Sequence, residues 1–303
     1  MTTDKSGLES SKIVKSPFVQ FFKRGWENIV RLMAANVLFI LFNIPSIVIS
    51  YFFSSFFLLA FSRAFNLDSF IYISDETGNN VVSYEMFILL LVFFINVLVS
   101  SCLVCVGPFQ AGFANLYKHI RNGTSVSLFS DFKSGVKNNV GKSIITMVIG
   151  IVITFILLFA ITFYSSINKV IMVLFIVLFF AFILVQNFVY QLIVSTDLSL
   201  FKIYKNAILF LFIRFIPCIG LAVITFIFYI AIPFFLLMSA SYLTLGIFVF
   251  LYSFLCISWV QYFLNSYTRR LIERFVKESA AENGAYSDDN DKINNVTSEN
   301  TDS

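Results

Sequence analysis

The chain has 303 residues, 58% of them hydrophobic and 13% charged, with a mean hydropathy of +0.87 and a net charge of +4. A soluble domain of this size needs a charged surface, so the composition excludes an aqueous globule and makes lipid the expected main solvent. GxxxxGKS/T, HExxH, GxSxG and paired carboxylates with a neighbouring base are all missing from the sequence, so no enzyme is expected.

Residues 1–31 carry Lys5, Lys12, Lys15, Lys23, Arg24 and Arg31 and read as a cytoplasmic segment ending in a basic interfacial helix. The first sixteen residues are polar, and the apolar run that follows is too long for a signal-peptide core, so it is expected to stay in the membrane. About 20 apolar residues cross the ~30 Å hydrocarbon layer as a helix. Six runs reach that length: 32–54, 86–107, 143–165, 170–195, 210–238 and 242–265. The expected fold is therefore an all-α polytopic bundle filling residues 32–267, with no cofactor or metal.

Between the first two runs, residues 55–85 form an outer loop bearing Arg63 and the turn-rich DETGNN. The second run leads into a basic insert, 108–142. There Phe109, Phe113, Leu116, Tyr117 and Ile120 recur at helical spacing, and Asn122-Gly123 supplies a helix stop. Phe129, Phe132, Val136 and Val140 form a second periodic set. The insert reads as two short helices on the cytoplasmic membrane surface or packed beneath the bundle. Tyr117, Lys118, Arg121, Asp131, Phe132, Lys133 and Lys137 are its candidate docking residues. Thr268–Lys277 is expected to be an amphipathic helix, followed by an acidic, disordered tail to residue 303.

The cations are unevenly placed. Assigned to alternate sides of the six runs, the Lys and Arg residues total nineteen against two, the two being Arg63 and Lys169. Lys and Arg in short loops remain cytoplasmic, so both termini and the insert are expected inside, against an anionic leaflet. Basic residues held at a membrane surface leave none for nucleic acid. Cys102, Cys105, Cys218 and Cys256 all lie in apolar runs and read as small buried residues.

Three basic segments resemble one another: FKRGWENIV at 22–30, FKSGVKNNV at 132–140 and FKIYKNAI at 201–208. Either a tandem of three helical hairpins or shared interface chemistry accounts for them.

The stretches FFKRGWENIVRLMAANVLFILFNIPSIV and GPFQAGFANLYKHIRNGTSVSLFSDFKSGVKNNVGKS resemble the YesL-like family, small bacterial integral membrane proteins of unassigned function. The resemblance rests on the Asn-led apolar run Asn36–Pro45, on Gly107-Pro108, on the aromatic-basic Tyr117–Arg121, and on Asp131-Phe132 with Lys137-Asn138. It implies a bacterial cytoplasmic membrane and a setting beside carbohydrate uptake systems, with subunits of such a transporter as partners. It implies no catalytic residues.

Amides inside the runs admit two readings. Asn36 and Asn43 share a face seven residues apart, Asn96 is mid-run, and Gln186, Asn187, Gln191, Gln261 and Asn265 lie in inner halves. As interhelical hydrogen bonds, such groups contribute about 0.6 kcal/mol each. Alternatively Asn43, Asn96, Gln186, Asn187 and Arg214 line a cytoplasm-facing vestibule of a small pore or carrier, with Pro45 and Pro217 bending helices around it. In that case Asn43, Asn96 and Gln186 point toward one another. No Asp or Glu lies in the six runs, which disfavours proton or sodium coupling.

Overall fold

The computed structural model describes residues 17–65, 67, 72–74, 80–122, 127–239 and 241–277; the acidic tail lies outside these residues. The protein is an all-α bundle. In chain order it contains α1 (Pro17–Glu27), α2 (Ile29–Phe42), α3 (Ile44–Ala64), α4 (Tyr84–Ser100), α5 (Gly107–Asn122), α6 (Leu128–Ser165), α7 (Lys169–Ser195), α8 (Leu200–Ile213), α9 (Phe215–Met238), α10 (Tyr242–Phe254) and α11 (Cys256–Ile272). A two-stranded antiparallel ribbon, β1 (Tyr72–Ser74) with β2 (Asn80–Val82), pairs Tyr72 with Val82 between α3 and α4.

Among the described residues, four helices, α3, α6, α7 and α9, are long and apolar enough to cross a membrane. Counting each of two bent pairs as one span brings the total to six, but α4, in the expected run 86–107, is a shorter apolar helix of 17 residues outside that count. The protein is thus an integral membrane protein. Its surface agrees: Phe52, Phe56, Phe212, Ile216 and Phe235 are all exposed, and an apolar surface this extensive needs hydrocarbon around it.

Helix boundaries follow local chemistry. α1 turns 75° into α2 at Asn28, whose Nδ2 donates to Arg24 O at 2.9 Å. The turned α1 buries Phe21 against Trp259, Tyr262 and Phe263 of α11. The first apolar run breaks at Asn43, two residues before Pro45, and α3 then continues to Ala64, ten residues past the expected end. A proline cannot donate to the carbonyl four residues back, so helices break just upstream of it. α8 and α9 separate in the same way at Arg214, ahead of Pro217. Within α9, a π-turn at Ile227–Ala231 precedes Pro233. α7 begins on Asn168, whose Oδ1 accepts from Val170 N at 2.9 Å and Ile171 N at 3.4 Å.

The insert differs from two surface helices. Its second half is the beginning of α6, a single 38-residue helix about 57 Å long at 1.5 Å per residue, nearly twice the hydrocarbon thickness. Its first half, α5, runs antiparallel to α6. A Cβ on Gly107 would meet Ser143 O at 2.1 Å, and one on Gly135 would meet Asn115 Cβ at 2.6 Å. Gln110, Ala111, Phe113, Leu116, Tyr117 and Ile120 are buried. An amphipathic pattern cannot tell a lipid surface from a protein groove; here the groove among α6, α7 and α11 takes the helix.

The three similar segments differ locally. FKRGWENIV breaks at Asn28, FKSGVKNNV lies inside continuous α6, and FKIYKNAI lies within α8.

Among the described residues the core has two main parts and a small third one, Leu58 of α3 with Leu90 of α4. The larger joins α2, α5, α7, α10 and α11 around Phe39, Phe113, Phe188, Tyr190 and Tyr262. The smaller of the two main parts joins α3, α4, α6 and α7 around Phe57, Leu98, Leu158 and Ile183.

Candidate functional site

Between α4 and α5 the backbone leaves helical geometry over residues 101–106, yet Ser101, Cys102, Leu103, Val104 and Cys105 are all buried. Pro108 cannot donate to Val104 O, which stops a continuous helix. Cys102 takes the left-handed position after the helix end (φ 60°), which favours glycine and costs about 1–2 kcal/mol in other residues. Its N–H returns to Val99 O at 3.1 Å, and Val104 N–H returns to Leu98 O at 3.2 Å.

Unwound backbone at membrane depth survives only when the protein itself satisfies its polar groups. Three amides from three places do so. Asn43 Oδ1, at the α2–α3 break, accepts from Val106 N at 3.0 Å. Asn187 Nδ2, on α7, donates to Ser101 O at 3.3 Å and to its own helix at Ile183 O at 2.8 Å. Gln261 Nε2, on α11, lies 3.4 Å from Ser100 O, 3.0 Å from Cys102 Sγ and 3.2 Å from Tyr229 Oη. The Cys105 thiol donates to Tyr190 Oη at 3.3 Å.

A second break is held the same way. The chain bends 45° between α10 and α11 at Leu255. Asn36 reaches across it, its Nδ2 donating to Tyr252 O at 2.7 Å and its Oδ1 accepting from Ser258 N at 2.7 Å. Tyr117 Oη donates to Ser258 Oγ at 3.0 Å, tying α5 to the same turn.

At the basic end, cations bond backbone carbonyls. Lys118 Nζ donates to Val194 O in the last turn of α7 at 2.8 Å, and Lys142 Nζ to Leu198 O in the α7–α8 connection at 3.0 Å. Arg121 donates to Ser266 O at 2.5 Å, while its own carbonyl accepts from Arg24. Burial pushes the Arg121 guanidinium down to about 10, with Arg269 and Arg270 adding to the effect and Glu273 opposing it. It therefore stays charged at neutral pH.

The five candidate vestibule residues are held by different partners. Asn43 and Asn187 meet the 101–106 segment; Gln186 Nε2 donates to Thr146 O on α6 at 3.1 Å and, like Leu103 O of that segment, packs against Gly150. Asn96 Oδ1 accepts from Ser100 Oγ within its own helix at 3.1 Å, and Arg214 stands 5.7 Å over the Phe275 ring. Asn96 Nδ2, Gln186 Oε1 and Asn187 Oδ1 are nevertheless buried without a hydrogen-bond partner. Of the candidate docking residues, Tyr117 and Phe132 belong to the core. Asp131 Oδ2 accepts from Ser127 N at 3.1 Å. Lys133 and Lys137 are exposed. Tyr190, Tyr229 and the backbone of 100–106 have no counterpart among the sequence candidates. A tyrosine in an apolar run was their only available signal, and thirteen tyrosines make it a poor one.

Toward the end opposite the basic face lies a cavity of about 460 Å³ lined only by apolar side chains, among them Phe93, Leu98, Leu158, Ile161 and Phe179. The four cysteines are free and buried, and no metal-holding cluster of His, Cys, Asp or Glu exists among the described residues. No family model, curated protein or solved structure matches the chain.

Proposed function

We propose that the protein is a non-enzymatic accessory component of a carbohydrate transport or export system in a bacterial cytoplasmic membrane, with its basic end inside. The YesL-like resemblance and the nineteen-to-two placement of cations support this reading. The observation that carries it against a carrier is the use of the buried amides. Asn36, Asn43, Asn187 and Gln261 all bond to the protein's own backbone at helix breaks. They act as structural fasteners, and Lys133 and Lys137 at the start of α6 offer a charged face to a partner.

Affinity capture of the full chain in mild detergent, with mass spectrometry of what remains bound, tests this. Stoichiometric recovery of a sugar-transport subunit is expected. Sugar flux through proteoliposomes of the protein alone, abolished by Asn43→Leu or Gln186→Leu, would overturn it. That outcome belongs to the second reading, a small facilitative carrier, which the unpartnered atoms of Asn96, Gln186 and Asn187 favour.

A further inference from the structure

The apolar cavity has a volume, an opening and a charge at one end that together define an occupant. At about 460 Å³ it is far larger than the voids a close-packed interior tolerates. Its lining side chains offer no hydrogen-bond partner, and a water needs two to four, so water does not fill it. An apolar cavity of about 150 Å³ binds one benzene, so this one takes roughly eighteen carbon atoms, the size of a fatty-acyl chain.

The opening is lateral. Phe65, just past α3, is 42% exposed and Phe226, halfway along α9, is 44% exposed; the other lining residues are buried or half-buried. Phe226 stands midway along the membrane-crossing α9 among the exposed Ile219, Val223 and Ile227, so the mouth opens on the surface that faces hydrocarbon. The π-turn at Ile227–Ala231 forms this wall between Phe226 and Phe234, and π-bulges recur at functional sites.

A cation marks one end. Ile176 and Phe180 line the cavity from α7, and the exposed Lys169 stands seven and eleven residues before them, on the same helix face. It lies about 10 Å along the axis from Ile176, where the headgroup of a lipid standing in the cavity would fall.

We propose that this cavity is a lipid-tail site, taking one acyl chain of an anionic amphiphile whose headgroup rests beside Lys169. It serves the leaflet opposite the basic face. The site stands whether or not the protein partners a transporter.

The test uses the full chain in mild detergent with three diazirine-bearing probes: palmitic acid, phosphatidylglycerol and phosphatidylcholine. Crosslinks are mapped by peptide mass spectrometry. Labelling concentrated at Phe93–Leu98, Ile176–Phe180 and Phe226–Phe234 is expected, with phosphatidylglycerol above phosphatidylcholine. Stronger labelling by palmitic acid than by either phospholipid identifies a free fatty acid as the source of the chain. Each methylene excluded costs about fourfold in affinity, so filling the cavity with I161W should cut labelling about fifteenfold when two are displaced. V97F serves if I161W does not fold. K169Q should erase the preference for phosphatidylglycerol. Labelling spread evenly over lipid-facing residues such as Phe212 and Phe235, and unchanged in both filling variants, overturns the site. Equal labelling by the two phospholipids, unaffected by K169Q, overturns the headgroup assignment.

Discussion

Asn43 Oδ1 accepts the amide of Val106 at 3.0 Å across sixty-three positions of chain, so the break in the first apolar run and the unwound segment in the second are fastened to each other. Leu in place of Asn43 leaves the Val106 N–H without its partner, which costs about 1–3 kcal/mol. A thermal-unfolding midpoint in detergent below that of the parent protein is the expected result. An unchanged midpoint would mean the segment does not need this bond.

Asn36 and Asn96 predict opposite outcomes from the same substitution. Asn36 bonds to both sides of the Leu255 break, so Asn36→Leu removes two bonds and should destabilise by about 2 kcal/mol or more. Asn96 makes one bond within its own helix and buries an Nδ2 without a partner. Asn96→Leu should therefore be neutral or mildly stabilising. Unfolding midpoints of the two variants, measured side by side, check the order.

Two glycines make a similar contrast. A Cβ at Gly107 would lie 2.1 Å from the backbone oxygen of Ser143, whereas one at Gly141 meets nothing within 4 Å. Gly107→Ala should force α5 from α6 and destabilise strongly. Gly141→Ala, in a helix interior, should stabilise by about 0.5–1 kcal/mol.

Lysines on the basic end divide by role. Lys118 closes the last turn of α7 through Val194 O, so Lys118→Met should cost about 1.5–3 kcal/mol, as for a charge-assisted bond. Lys133 and Lys137 are exposed, and K133Q/K137Q should stay within about 0.5 kcal/mol of the parent. If those two lysines meet a partner, the double variant should lose transporter subunits in affinity capture while its melting curve is unchanged.

Class, membrane setting and the rough places of the helices were legible, because hydropathy reports solvent and a run such as 170–195 has one stable solution in lipid. Pro45 and Pro217, expected only to bend helices around a vestibule, follow breaks at Asn43 and Arg214, since a missing N–H acts locally. The buried turn after Ser100 was not legible. Residues 101–106 are as apolar as the helix before them, and the groups that make the turn tolerable lie far away in sequence, at Asn43, Asn187 and Gln261. The fate of the insert was hidden for a related reason. Lys133, Lys137 and Lys142 end an apolar run but do not end a helix, which can carry charge once it stands clear of hydrocarbon. Individual amides such as Asn36 and Asn43 were visible as buried polar groups; which backbone each one fastens depended on the tertiary fold.

The central claim is that the chain crosses the membrane with its cation-rich end held in the cytoplasm. A lipid-impermeant thiol reagent applied to intact cells tests this most directly, because the native cysteines are buried and single reporters can be placed at exposed positions on the two ends. S166C, in the turn between α6 and α7, should be labelled in intact cells, and K137C only after the membrane is opened. Labelling of K137C in intact cells, with S166C protected, would contradict the account.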